Sequence, residues 1–322
     1  MTLRQLRVKA SGLAAVVTVL ALTLAGCGGE GGDGGDSSSK QITVAALPLA
    51  DDAPLYLAQN RGLFKKEGLD VRIQPVQQSI QALPALAKGQ VDVIAGANYV
   101  TFFQADEKGT LDLRILAEGA RVAPHMMDVL VPKDSPIRNP GDLKGRKVAV
   151  NILNNIQSLT LDAILKERGA GLPEYRQIAF PQMGAALEKG QADAVHAAEP
   201  FSSAIQQELG ARVLIDGGSS PVTSIPISGY VTTRQFASGN PEAAAAFRRA
   251  VTAAAKIAAQ DPEAVREQLP KYTKVTADQA GSIHLPAYPA TSDAAQLRRL
   301  TELMREQGLL KKELDPGSLL VK

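Results

Sequence analysis

A ten-residue unit occurs twice in this chain, and it limits the folds available more than any other feature. Leu86-Ala87-Lys88-Gly89-Gln90-Val91-Asp92-Val93-Ile94-Ala95 recurs as Leu187-Glu188-Lys189-Gly190-Gln191-Ala192-Asp193-Ala194-Val195-His196. Each copy reads as the last turn of an apolar helix, a glycine that closes it, and a short buried strand. A glycine after a helix is common, but Lys-Gly-Gln-x-Asp twice, about a hundred residues apart, points to duplication of a whole lobe.

The pattern upstream of each copy supports two similar α/β lobes. In the first, strands are predicted at 42–46, 69–74 and 91–95, and helices at 55–61 and 79–88, with Ser79 capping the second helix. Asp51 or Asp52 is placed to cap the first, with Pro54 in its opening turn. A helix through Phe102 and Phe103 and a strand at 113–117 follow. The second lobe repeats this with strands at 129–131, 147–150, 177–180 and 192–198 and helices at 159–168 and 183–189. Strands at 212–215 and 228–232 precede a helical remainder at 240–260, 263–269, 277–282 and 294–307, for which Asn240-Pro241 is a start signal. Strand-helix-strand succession implies parallel sheets with right-handed crossovers. The division expected is 41–122 with 228–322 for lobe 1 and 123–227 for lobe 2, with chain crossings near 118–127 and 225–230.

The N-terminus reads as a leader. Arg4, Arg7 and Lys9 precede an apolar run at 13–24, too short to span a bilayer, which closes on Leu24-Ala25-Gly26-Cys27. This resembles the bacterial lipoprotein signal, in which the cysteine is acylated, so residues 1–26 are predicted to be removed and Cys27 to carry the lipid. Cys27 is the only cysteine in the chain, which excludes an intramolecular disulfide. Residues 27–40, mostly Gly, Asp, Glu and Ser, bury no apolar surface and read as a flexible tether to the membrane. Across the chain 35 Lys+Arg stand against 33 Asp+Glu with 4% aromatics, and no basic run lies beyond the leader. That excludes the electrostatic footprint of a nucleic-acid binder.

Three stretches carry a family resemblance. APLYLAQNRGLFKKEGLDV at 53–71, DLKGRKVAVN at 142–151, and ALEKGQAD at 186–193 followed by Glu199-Pro200-Phe201 resemble motifs of solute-binding proteins of ABC importers, in the branch for nitrate, sulfonates and taurine. That branch includes receptors for thiamine-precursor pyrimidines. The resemblance implies a type II periplasmic-binding-protein fold: two α/β lobes around a ligand cleft, joined by two crossovers. It also implies a monomer that passes a small solute to a permease and its ATPase, without a cofactor or metal and without catalysis. An alkanesulfonate, taurine or nitrate-type anion is the expected ligand, with an amine-bearing solute or thiamine-precursor pyrimidine as the alternative. The related pyrimidine synthases use a cysteine-rich motif and a histidine, and this chain has no cysteine after Cys27.

In open α/β sheets ligands lie beyond the carboxyl ends of the strands. Four such ends supply the candidates. Lobe 1 offers Asp51, Asp52, Asn98 and Tyr99; lobe 2 offers Asn151, Asn154, Asn155, Gln157 and Glu199. Helices begin beside two of these ends, and their free N–H groups suit an anion. One of Asp51 and Asp52 is a cap and the other a contact for amines or hydroxyls. Asn154 and Asn155 divide in the same way between turn or cap and ligand, Tyr99 between core and stacking partner, and Glu199 between ligand acceptor and lobe-closing partner. Arg121 and His125 lie in the first crossover, Arg121 being either a cationic contact or an exposed hinge residue. Ser228 is the candidate from the return crossing. His196 is read as a core or cleft-wall residue, not a metal ligand.

Overall fold

The structure, a computed structural model, describes residues 39–321. The leader, Cys27 and the tether up to Ser38 lie outside the described residues. Lys40, which the sequence reading placed in the tether, is paired in the first strand.

The first half runs β1 (Lys40–Ala46), α1 (Ala53–Asn60), α2 (Leu63–Lys66), β2 (Leu69–Pro75), α3 (Leu83–Ala87), β3 (Val93–Asn98), α4 (Tyr99–Glu107) and β4 (Leu113–Arg121). The second runs β5 (Met127–Val131), β6 (Lys147–Val150), α5 (Ile156–Glu167), β7 (Glu174–Gln177), α6 (Phe180–Glu188), β8 (Ala194–Ala198), α7 (Phe201–Leu209) and β9 (Arg212–Asp216). The chain then returns through β10 (Pro226–Thr233) to α8 (Arg234–Gly239), α9 (Pro241–Gln260), α10 (Pro262–Arg266), α11 (Leu269–Tyr272), α12 (Ala277–Ala280) and α13 (Ala294–Glu306).

Two five-stranded sheets result, ordered β2-β1-β3-β10-β4 and β7-β6-β8-β5-β9. Strand for strand the orders correspond. Neither is wholly parallel, which corrects the sequence reading. β10 is antiparallel to β3 and β4, and β5 is antiparallel to β8 and β9. Each reversed strand is the one that has just arrived from the other sheet. The links are residues 122–126 and 217–225. The second ends earlier than expected because Pro226 already pairs with Arg121.

The repeated unit has a mechanical role in both sheets. Gly89 (φ 68°) and Gly190 (φ 65°) take the left-handed conformation that ends α3 and α6. The aspartate three residues on then grips the neighbouring parallel strand, β1 or β6. Asp92 donates its N–H to Thr43 O and accepts the Thr43 N–H on its carboxylate at 2.8 Å. Asp193 does the same to Lys147, also at 2.8 Å.

Several local expectations shift. β7 lies at 174–177 and is largely exposed, and Phe180 opens α6 because Pro181 fits the first helical turn. Helix α5 starts at Ile156, ahead of the predicted 159. Ser79 caps nothing; a 3-10 turn over Ser79–Ala82 leads into α3, and the Ser79 hydroxyl accepts the Asn98 N–H. α7 and α8, short and weakly patterned, escaped the sequence reading.

α9 lies against α1, α2 and β4 through an alanine-rich face, Ala243, Ala246, Ala250 and Ala254 among them. Phe247 is its anchor, with Phe64 at 5.2 Å and Tyr230 at 5.8 Å between ring centroids. The tail covers the β4 edge: the Val321 N–H donates to Ile115 O, satisfying a group an open edge would expose. No helix among the described residues is long and apolar enough to cross a membrane.

Candidate functional site

The carboxyl ends of β1 and β3 face those of β6 and β8 across an internal cavity of about 40 Å³. One water needs roughly 10–15 Å³ by such a measure, so the space suits a small head group in a molecule whose lobes are already together. Asp51, Asn98 and Ser228 line it from one side, and Asn151, Asn155 and Gln157 from the other. Six of the twelve sequence candidates therefore meet there.

Asp51 carries the charge. It sits in a 3-10 turn over Ala50–Asp52 at the end of β1 and is 5% exposed. The Ser228 hydroxyl donates to Oδ2 at 2.9 Å, while Oδ1 has no partner. Burial pushes its pKa up to about 6, with the Ser228 hydrogen bond pulling the other way. Asp52 lies beneath, off the cavity, and accepts the Leu47 N–H at 3.0 Å. Burial raises its pKa well above the usual value, and the charge of Asp51 raises it further. Neither carboxylate caps α1, whose N-terminus has no side-chain cap. Gly96 makes this packing possible: at φ +60° a Cβ there would lie 2.7 Å from Asp52 Oδ2.

Two other helix starts at the cavity carry asparagine caps, while α6, whose Phe180 lines it, has no side-chain cap. Asn98 Oδ1 accepts the Thr101 N–H at the head of α4. Asn155 Oδ1 accepts the Gln157 and Ser158 N–H groups at the head of α5. Of the two helix heads expected to be free for an anion, that of α5 is capped by Asn155, while that of α1 has no side-chain cap. Gln157 is held from several sides. Its Oε1 accepts from Asn151 N–H and Asn155 Nδ2, and its Nε2 donates to His196 O. His196 itself is fully buried behind this wall, and burial lowers its pKa to about 4, keeping the imidazole neutral.

The remaining candidates lie away from the cavity. Tyr99 is a core residue stacked on Phe103, and its hydroxyl fits only because residue 229 is glycine. Arg121, the expected cationic contact, is turned onto buried Glu118, with Nη2 at 3.0 Å from Oε2. His125 (φ 60°) is half-exposed in the first link, with Nδ1 3.3 Å from Asp128 and Nε2 3.9 Å from Asp216. These three residues are the one His/Asp group among the described residues that could hold a metal, with ligand atoms within 4.8 Å of one another. Asn154 (φ 55°) is a turn residue whose carbonyl accepts from Gln104. Glu199 is fully buried. Its carboxylate accepts the Ser203 hydroxyl and N–H and the His284 N–H, and its carbonyl accepts the Ala50 N–H from the opposite lobe.

Sequence reasoning missed the apolar walls and one polar bridge. Leu47, Leu49, Met126, Met127, Ile152 and Phe180 are among its apolar lining, with no signature beyond apolar residues near strand ends. Gln78 reaches across to the Asn151 carbonyl. Phe180 also separates this cavity from a wider one of about 630 Å³ bordered by Pro48, Phe201 and Tyr272.

A family model described as NMT1/THI5 like matches residues 50–265. A protein of Escherichia coli K12 named for binding aliphatic sulfonates is 30% identical over 194 residues, covering 58% of this chain and 57% of its own length. The chain thus spans little more than half the length of that relative. Among solved structures, the alkanesulfonate-binding protein SsuA of Xanthomonas axonopodis pv. citri, bound to MOPS, superposes with a TM-score of 0.74 at 20% identity. It covers 87% of this chain and 97% of its own. The periplasmic nitrate-binding protein NrtA of Synechocystis PCC 6803 gives 0.70 at 15% identity, covering 87% and 84%. At such identities these structures establish the fold, which is that of the periplasmic binding proteins.

Proposed function

The chain belongs to the NMT1/THI5-like family, and we propose that it is an extracytoplasmic receptor that encloses a small solute between its lobes and hands it to an ABC permease and its ATPase. The observation that carries this reading is the buried, partly polar cavity at which strand ends from both sheets converge. A receptor of this kind needs a shaped cavity, a few fixed polar groups and two links that can hinge. Gln78 to Asn151 and Ala50 to Glu199 are contacts that would form on closure and break on release.

In this reading Asp51, Ser228, Asn98, Asn151, Asn155 and Gln157 contact the solute. Asp52, Tyr99 and Glu199 support the walls. Cys27 is the lipid anchor, and the receptor acts as a monomer. Binding without turnover is favoured because Ser228, the hydroxyl at the cavity, is paired with a carboxylate and no imidazole lines the same space.

A thermal-shift screen of the purified protein tests this reading. Sulfonates, nitrate, carboxylates, pyrimidines and amines would be scanned, with product analysis on every hit. At least one class raises the melting temperature without being consumed; a ligand at a hundredfold its Kd adds about 2.7 kcal/mol. No response from any class, or turnover of the hit, would contradict the reading.

A further inference from the structure

We infer that His125, Asp128 and Asp216 form a binding site for a divalent transition-metal ion of the zinc class, where both inter-sheet links leave the second sheet. The family resemblance did not foresee a metal. None of the three residues lines the solute cavity, so the site stands whichever solute the cavity takes.

The backbone brings the three together. β5 and β9 run antiparallel, and Asp128 lies directly opposite Asp216 in their register. Cross-strand partners of this kind project on the same face with their Cβ atoms about 4.5–5.5 Å apart. His125 ends the first link at the foot of β5. Its N–H donates to Asp216 Oδ1 at 2.8 Å, and the Gly218 N–H donates to the same oxygen at 2.7 Å. Asp216 is thereby fixed, with Oδ2 left 3.9 Å from His125 Nε2. His125 Nδ1 lies 3.3 Å from Asp128 Oδ1, and one ligand atom from each residue comes within 4.8 Å of the others. Zinc bonds of about 2.0–2.1 Å at tetrahedral angles set neighbouring ligand atoms about 3.3 Å apart. One edge therefore already matches, and the half-exposed imidazole can turn to close the others.

The charges ask for a cation. The Asp128 side chain is 1% exposed, and His125 is the one side chain that hydrogen-bonds its carboxylate among the described residues. Like charges directly opposite on neighbouring strands destabilise the pair, and a buried charge is costly without a partner. Among the described residues no lysine or arginine pairs with either aspartate. A single imidazolium offsets one negative charge, whereas a divalent ion offsets both. An imidazole with two carboxylates suits zinc and its neighbours in the first row; magnesium and calcium prefer oxygen alone. The fourth position is left to water or to the His284 ring, whose centroid lies 5.3 Å from that of His125.

The position gives the ion a mechanical consequence. The second link presses on the first so closely that a Cβ at Gly218 would lie 2.2 Å from Ala123 O. An ion held by His125 and Asp216 ties the root of one link to the root of the other and stiffens the hinge from outside the solute cavity.

Calorimetric titration of the purified protein, stripped of metal with a chelator, tests this with zinc chloride at neutral pH and with magnesium and calcium chloride in parallel. One zinc ion binds per chain, at least about a hundredfold more tightly than either other ion. His125→Ala and Asp216→Asn, both at partly exposed side chains, each weaken zinc by at least about tenfold. An anomalous-scattering peak from zinc-soaked crystals of the wild-type protein falls between the three side chains. Absence of zinc binding, a preference for calcium or magnesium, wild-type affinity in both variants, or a peak elsewhere on the surface overturns the assignment. Melting curves separate lost binding from lost folding, and the wild-type titration and peak decide the matter even if a variant does not fold.

Discussion

At the scale of single residues the account turns on Asp51 and the glycine behind its neighbour. The Asp51 pKa is raised in the folded protein to about 6 from an ordinary 3.8. A carboxyl shifted upward holds more protons folded than unfolded, so its contribution to stability is complete below the unfolded value and declines as pH rises to the folded one. Relative to Asp51→Asn, the wild-type protein therefore loses about 2 kcal/mol between pH 4 and pH 6. Urea unfolding of both proteins at pH 4 and pH 7 checks this, and parallel behaviour would contradict it. Gly96→Ala places a methyl 2.7 Å from Asp52 Oδ2 at a left-handed position. It should cost about 2–4 kcal/mol and displace the aspartate pair, seen as a lower melting temperature. The sequence displayed Asp51, Asn98, Asn151, Asn155, Gln157 and Ser228 because polar residues at strand ends stand out there. It could not show which way a side chain turns. Arg121 looked free because its partner, Glu118, lies only three positions back on the same strand, where alternation says nothing about an ion pair bending round the strand end.

At the scale of elements, caps and anchors set the geometry. Asn155 closes α5 and at the same time forms part of the cavity wall. Asn155→Ala should lower stability by about 1 kcal/mol, as loss of an N-cap does, and weaken solute binding as well. Asn155→Ser, which can still cap, should restore stability more fully than binding. Phe247 fastens α9 between Phe64 and Tyr230, so Phe247→Ala should cost about 3–5 kcal/mol in denaturant unfolding. α9 was legible almost to the residue, since Asn240-Pro241 and a long alanine face agree on its period. β7 was misplaced because its four residues form an exposed edge strand without an apolar pattern, while Ile178 and Phe180 beside it imitate one. Short α7 and α8 carry too few turns for a periodic signal to stand out.

For the molecule as a whole, the duplicated Lys-Gly-Gln-x-Asp unit revealed two like-built sheets, and their matching strand orders follow from it. The reversed strands β5 and β10 were not legible, because strand direction is set by where the chain crosses between sheets and not by composition. Gln78 bridging to Asn151 belongs to the same scale, for it joins segments whose approach only the full fold creates. Gln78→Ala should shift the unliganded protein toward a more open form, read as a larger radius of gyration in solution scattering and reversed by ligand. The most direct measurement for the whole account is a crystal structure of the protein grown with the solute that most raises its melting temperature. The account predicts density enclosed between Asp51, Ser228 and Asn151. Density at any other place, with that space closed and empty, would contradict it.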